Sequence, residues 1–343
     1  MKKWAMAFVV LLAACNEPQK VNLESVDINA ILEEAMPREQ AYCGTIILME
    51  TETGRVRHCG YSTDSASGEL YAGDIALDFN VSPGSLNTLS TSMALLDNGV
   101  WSDLVVNIES PDSVYRVGWI NIKEDSDISG NINMYDAFRL GSNVFFTEIG
   151  YSTFAGNEEK YVDCLINDQH ILEPMLDSIQ MLESVLANYK RWNRHTLVNL
   201  LYGYNIEMSP VRILTQYNAI ANDGVMVAPK LSNDEPTRII GRKLCSKNTL
   251  YTIKEFLDDM NLQKVLGYDV YAKTGISRYS DYGLTYSKDY YWTACIAAYP
   301  KEDPRVTIYA GMLLNIKNTN NKMDNTVCIP VVKSVLDNFV AKE

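Results

Sequence analysis

The feature that most restricts the fold of this chain is where its apolar, strand-like runs fall: at the two ends, with helix-patterned sequence between them. Near the N-terminus, Cys43–Met49 and Arg55–Tyr61 flank Thr51-Glu52-Thr53-Gly54, a strand–turn–strand with glycine closing the turn. Far along the chain, residues 268–276, 290–299 and 305–314 read as three more strands. Between and around them lie helices. Ile28, Ile31, Leu32 and Ala35 fall at i, i+3, i+4, i+7 over 27–36, and Leu86, Leu89, Met93 and Leu96 share one face over 85–96, which Asn98-Gly99 closes. Ser209-Pro210 opens a helix with a hydroxyl cap and proline in the first turn, ending at Asp223-Gly224. Further helical patterns occupy 134–148, 160–200, 248–260 and 329–340, while the acidic stretch from 62 to about 80 reads as loop. Strands from both ends sharing one sheet, with helices between, predict a mixed α/β (α+β) fold. The 343 residues suffice for two domains or one large unit, and neither an internal repeat nor a linker appears after residue 26, so one domain is expected over 26–343.

Residues 1–15, MKKWAMAFVVLLAAC, place two lysines before an apolar run from Ala5 to Ala14 and then a cysteine. That run is far shorter than the roughly 20 residues a bilayer-spanning helix needs. It reads as a signal peptide over 1–14, and Leu12-Ala13-Ala14-Cys15 resembles the lipobox of bacterial lipoproteins. The resemblance implies diacylation of the Cys15 sulfur, a tether over 15–25, and an extracytoplasmic chain held at a membrane by its lipid. An uncleaved anchor or a plain secretory signal is the alternative. Removing 1–14 takes away Lys2 and Lys3 and leaves the mature chain two charges more negative than the full −13.

That charge repels polyphosphate, and no Lys/Arg block interrupts it, so nucleic acid is excluded as a partner. Three scattered histidines, no HExxH, and no glycine pattern for phosphates leave metals and nucleotide cofactors without support, and no cofactor is expected. Six cysteines follow Cys15, none spaced as CxxC. An oxidising compartment permits disulfides in any of fifteen pairings, but thiols inside apolar runs such as Thr293-Ala294-Cys295-Ile296 read as buried and free.

Several segments, in this order, resemble the transpeptidase domain of the penicillin-binding proteins, the class B type most of all. Gly44 to Gly54 resembles the family's first hairpin. Ser82-Pro83-Gly84-Ser85 resembles its nucleophile turn, with the helix through Leu96-Asp97-Asn98-Gly99-Val100 continuing the match. Ala137 to Phe146, containing Gly141-Ser142-Asn143, resembles the SxN segment, and Met208 to Leu214 with Ala219 to Val225 resemble a helix and turn of the family. Lys273-Thr274-Gly275 resembles the KTG strand, and Tyr291 to Pro300 the strand after it. The resemblance implies the β-lactamase/transpeptidase-like architecture: a mainly antiparallel sheet built from both chain ends, flanked by helices, with a helical lobe in the middle. The pedestal domain and transmembrane helix usual in class B do not appear, and lipid on Cys15 would take over anchoring.

The family acylates a serine with a peptidoglycan stem peptide or a β-lactam, using a lysine at i+3 as general base. Here the serine is Ser85 and three residues on stands Thr88, whose hydroxyl is far too weak a base near neutral pH. No serine of the chain has lysine at i+3. The relay serine of SxN is Gly141, while Ser142 and Asn143 remain. Lys273 and Thr274 keep the means to hold a carboxylate, and the residue after Gly275 is Ile276 rather than the common threonine. An oxyanion hole needs only backbone N–H groups, those of Ser85 and Ile276.

Each residue also has a plainer reading. The Ser85 hydroxyl is read as a helix N-cap in preference to a nucleophile; Lys273 is either a carboxylate anchor or a strand-surface lysine; Asn143 contacts a substrate amide or caps a loop. The tyrosines between Tyr268 and Tyr291 line a groove or simply suit strands, and His195 is read as surface. The resulting expectation is a non-catalytic homologue that binds peptidoglycan stem peptides, β-lactam-like ligands or a cell-wall synthesis partner. The alternatives are an active D,D-transpeptidase or carboxypeptidase using Ser85 with another base, and an interaction module with a vestigial cleft.

Overall fold

Asp27 starts the first helix: its carboxylate accepts the Ala30 N–H, and α1 (Ile28–Glu39) runs until Gln40 enters the left-handed region at φ 53°. In this computed structural model, residues 22–341 are described apart from 65, 111, 125–126, 178–179, 282–284 and 321. After α1 come β1 (Cys43–Glu50), β2 (Val56–Thr63) and the short β3 (Leu70–Ala72), then a 3₁₀ turn over Gly84–Asn87 that leads into α2 (Thr88–Asp97). Two small ribbons follow, β4 (Val106–Ile108) with β7 (Gly130–Ile132) and, inside them, β5 (Tyr115–Val117) with β6 (Ile120–Ile122). The helical lobe is α3 (Met134–Leu140), α4 (Asn143–Phe154), α5 (Glu158–Asp163), α6 (Gln180–Ala187) and α7 (Arg194–Leu201). Then come α8 (Pro210–Ala221), the pair β8 (Met226–Val227) and β9 (Ile239–Gly241), α9 (Lys247–Leu257) and α10 (Met260–Leu266). The chain ends in β10 (Tyr271–Asp281), β11 (Thr285–Tyr299), β12 (Val306–Asn315) and α11 (Ile329–Val340).

The main sheet has the order β10-β11-β12-β1-β2-β3, and every pairing in it is antiparallel. First and last strands therefore meet at its centre, Ile46 opposite Ala310 and Ile47 opposite Tyr309. This is the sheet expected from both chain ends. Successive side chains of β1 enter different cores. Ile47 and Met49 pack with α2, α4, α7 and α8, while Ile46 and Leu48 pack beneath α1 and α11. A sheet covered on both faces needs apolar residues at every position, which is why these strands read as continuous runs rather than alternating ones.

The differences from the expected elements have local causes. β3 falls in the stretch read as loop; three residues at a sheet edge, none buried, carry no periodic signal. The pattern over 134–148 is two helices, because Gly141 takes φ 74° and ends α3 before Ser142 caps α4. The stretch 160–200 breaks at a π-helical turn over Cys164–Asp168 and at the segment around Pro174. The chain is already part of the fold at Leu23, which is fully buried and whose carbonyl accepts from Arg57 at 2.9 Å, so residues 23–25 are not free tether. Cys15, the signal sequence and the start of the tether lie outside the described residues. The cysteines after Cys15 are free and buried, and among the described residues no helix is long and apolar enough to cross a membrane.

Candidate active site

The Pro83-Gly84-Ser85 turn is pressed against the edge strand β10, and glycines make the approach possible. Gly84 has φ 52°, and a Cβ on it would stand 2.1 Å from the Ile276 carbonyl oxygen. A Cβ on Gly275 would meet the Leu86 side chain at 2.3 Å, so the glycine of the KTG triplet is the seat of Leu86. From the other side, the Gly84 N–H donates to the Gly203 carbonyl at 3.0 Å. Side chains complete the clamp: the Ser277 hydroxyl donates to the Ser82 carbonyl at 2.6 Å, Tyr217 to the Leu86 carbonyl at 2.9 Å, and Asn87 Nδ2 to the Leu200 carbonyl at 2.8 Å.

Within this clamp Ser85 does not cap a helix, contrary to expectation. Pro83 and Asn87 hold the cap positions of the 3₁₀ turn and of α2, and neither makes a side-chain cap. The Ser85 hydroxyl turns instead to β10, accepting the Ile276 N–H at 3.2 Å and facing the Ile276 carbonyl at 3.3 Å. The Ile276 N–H is one of the two groups expected to form an oxyanion hole, so the serine's own oxygen occupies it. Thr88, in the place of the family's lysine, is buried and donates its hydroxyl to the Ser85 carbonyl at 2.7 Å. Gly141 lies directly on the serine: a Cβ there would be 2.7 Å from Ser85 Cβ and 3.0 Å from its Oγ. A relay serine at 141 does not fit this arrangement. The Ile276 side chain packs in the core under α1 and α11, on the far face of β10, and only its backbone meets Ser85.

Lys273 is buried rather than on a strand surface. Its ammonium donates to the Thr274 carbonyl at 2.5 Å and stands 5.5 Å over the Phe138 ring. Burial takes its pKa down to about 8, with the Asp259 carboxylate pulling the other way. Thr274 is buried beside it. Asn143 begins α4; its Nδ2 donates to the Lys123 carbonyl at 3.1 Å. Glu124, which no sequence signal marked, closes this helix end. Its carboxylate accepts from Ser142 Oγ at 2.5 Å and from the Asn143 N–H at 2.8 Å, neutralising the positive end of α4.

Two residues beyond the Ser85–Ile276 contact, a pocket of about 210 Å³ opens between β6, α7 and the β10–β11 hairpin; Asn143, Asn199, Tyr204, Arg278 and Tyr286 are among its walls. Of the tyrosines between 268 and 291, Tyr286 thus faces a pocket, Tyr291 is buried in the core, and Tyr268 donates to Asp337 of α11 at 2.8 Å. His195 is half-buried and accepts the Trp119 indole N–H at 2.7 Å.

Comparison with known proteins agrees with this architecture. The family model of the penicillin-binding protein transpeptidase domain matches residues 44–337. Penicillin-binding protein PbpB of Mycobacterium tuberculosis is 25% identical over 282 residues, 72% of this chain and 39% of that protein. The probable peptidoglycan D,D-transpeptidase PenA of Neisseria gonorrhoeae is 22% identical over 292 residues, 81% of this chain and 48% of that protein. The chain therefore spans less than half the length of these relatives. Among solved structures, the transpeptidase domain of Burkholderia pseudomallei penicillin-binding protein 3 superposes with a TM-score of 0.70 at 18% identity, covering 94% of this chain and 95% of that one. Penicillin-binding protein 3 of Mycobacterium tuberculosis gives 0.68 at 19% identity, covering 92% and 76%. A sheet closed by both chain ends, a serine turn seated on a KTG strand, and a family match over most of its length establish that this chain belongs to the penicillin-binding protein transpeptidase domain family.

Proposed function

We propose that this protein is a non-catalytic member of its family: an extracytoplasmic lipoprotein, anchored through Cys15 after loss of residues 1–14, that binds peptidoglycan or a cell-wall synthesis partner without acylating Ser85. The observation that carries this reading is the double contact of the Ser85 hydroxyl with Ile276, at 3.2 Å and 3.3 Å, which spends the nucleophile on the N–H a tetrahedral intermediate would need. Thr88 supplies no base, and Gly141 supplies no relay and leaves no room for one. A positioned general base alone contributes roughly 10²–10⁴-fold, and groups acting as a unit lose more when broken. In this reading Asn143, Lys273, Thr274 and Gly275 serve binding and the shape of the cleft.

Intact-mass spectrometry after incubation with excess benzylpenicillin tests it. The expected spectrum is the unmodified mass over hours, identical to that of Ser85→Ala. A penicilloyl adduct present in the parent and absent from Ser85→Ala would overturn the reading. One observation favours the rival, an active D,D-transpeptidase or carboxypeptidase. With its pKa lowered to about 8, Lys273 is within reach of the neutral form a base requires. Under that rival, Lys273→Met abolishes the adduct that the parent forms.

A further inference from the structure

The pocket beside Ser85 continues as a groove whose two walls keep step. On β6 and its flanks, Trp119, Asn121 and Lys123 alternate with the buried Ile120 and Ile122 and so share the outward face. His195 and Asn199 of α7 fall at i and i+4 on one face, and Tyr202, which ends the helix, follows three residues on. Two strand residues advance about 6.6 Å and one helical turn about 5.4 Å, so the residues meet as three rungs. Trp119 is tied to His195 at 2.7 Å, and the other four residues line the pocket.

The chemistry of the rungs is specific. Trp119 is 79% exposed at the tip of the β5–β6 ribbon, yet its indole N–H is held by His195, which leaves a fixed, open ring face. The Tyr202 hydroxyl donates to Asn199 Oδ1, those of Tyr204 and Tyr286 accept the Arg278 and Asn205 N–H groups, and all three tyrosines line the pocket. Asn121 and Asn199 accept through Oδ1 from Arg116 and Tyr202, and their amide N–H groups donate to no protein group among the described residues. Aromatic faces with amide donors, in walls that also hold Lys123 and Arg278, suit a ligand that has an apolar ring face and oxygen acceptors, a carboxylate included.

An extended peptide would use the edge of β10 instead, pairing main chain with main chain. That edge is taken. Ser85 holds both the N–H and the carbonyl of Ile276, and the Tyr204 hydroxyl holds the N–H of Arg278. The volume of about 210 Å³ lies below the roughly 300–1,000 Å³ of drug-sized pockets, which fits one sugar ring with its neighbour on the Trp119 rung.

We propose that this groove binds the glycan strand of peptidoglycan, with an N-acetylated amino sugar in the pocket and the chain running outward over Trp119. The proposal rests on the reading of this protein as a peptidoglycan binder and assigns the contact to the sugar instead of the stem peptide.

The test is isothermal titration of the folded chain with three probes: a peptide-free tetrasaccharide of alternating N-acetylglucosamine and N-acetylmuramic acid, the same tetrasaccharide carrying stem peptides, and the free stem peptide. Both tetrasaccharides are expected to bind. Trp119→Ala, and separately Asn121→Ala with Asn199→Ala, should weaken the peptide-free one about tenfold while leaving the melting temperature unchanged. If only probes carrying peptide bind, or if the variants leave glycan affinity intact, the groove is not the glycan site and the peptidoglycan reading stands without it. If none of the three binds, both fall.

Discussion

Gly141 and Lys273 are two positions of the candidate site where a single residue has a measurable signature. Gly141 combines φ 74° with contact on Ser85, so Gly141→Ala should cost about 2–4 kcal/mol from left-handed strain and overlap together. The overlap part requires the Ser85 Cβ. In a double-mutant cycle by urea denaturation the same substitution should therefore cost less in a Ser85→Gly background, whereas equal costs would remove the contact from the account. Lys273 gives a pH signature. Its folded pKa of about 8 lies below the ordinary 10.5, so between these values the unfolded chain holds the proton that the folded chain has lost. Stability should rise with pH across that window, on the order of 3 kcal/mol in all at about 1.4 kcal/mol per pH unit, with the full penalty present below about 8. Lys273→Met should lose that rise relative to the parent in urea melts from about pH 7 to about pH 11.

Elements differ in how plainly the sequence declared them. The centre of the sheet was legible because two-sided burial leaves long apolar runs in β1, β11 and β12, and α8 was legible from the Ser209 cap and Pro210. The 160–200 stretch was not, because its shape depends on distant partners. The segment before α6 is held by Arg212 of α8, whose guanidinium grips Asp177 at 2.6 Å and 2.9 Å and also donates to the carbonyls of Ile171 and Glu173. Both side chains are essentially inaccessible. Arg212→Met should destabilise the fold by about 3–5 kcal/mol, since it strands a buried carboxylate, and adding Asp177→Leu should recover part of the loss. Thermal melts of the two variants check this. The site divides in the same way. The Ser85 turn, Asn143 and Lys273-Thr274-Gly275 stood out as triplets, but Glu124 reaches Ser142 across 18 residues and the Trp119–His195 bond spans 76. Neither leaves a local pattern. Nor could sequence tell that the Ser85 hydroxyl would prefer β10 to a cap, since that follows from how closely glycines let the turn approach the strand.

At the scale of the whole molecule, the shared sheet makes the two cores one structure. β1 is held by β12 on one side and β2 on the other, and α11 covers the face beneath with Val331, Val332, Val335, Leu336 and Phe339. Cutting the chain before Ile329 removes that cover and exposes the apolar underside of β1, β11 and β12. The truncated chain should fail to give a cooperative melt by circular dichroism. A melt matching the full chain would mean that the upper core folds alone.

The buried cysteines carry a consequence for timing. Burial raises the thiols of Cys43, Cys59, Cys245 and Cys295 to about 12, so in the native state each is both shielded and almost wholly protonated. Before folding, these four and the sulfurs of Cys164 and Cys328 are ordinary thiols that an oxidant can join in any of fifteen wrong ways. In an oxidising compartment the fold thus competes with oxidation in a single race. The last strand, β12, must reach β1 and α11 must close over it, with Cys328 at its start, before the sulfurs of both cores are out of chemical reach.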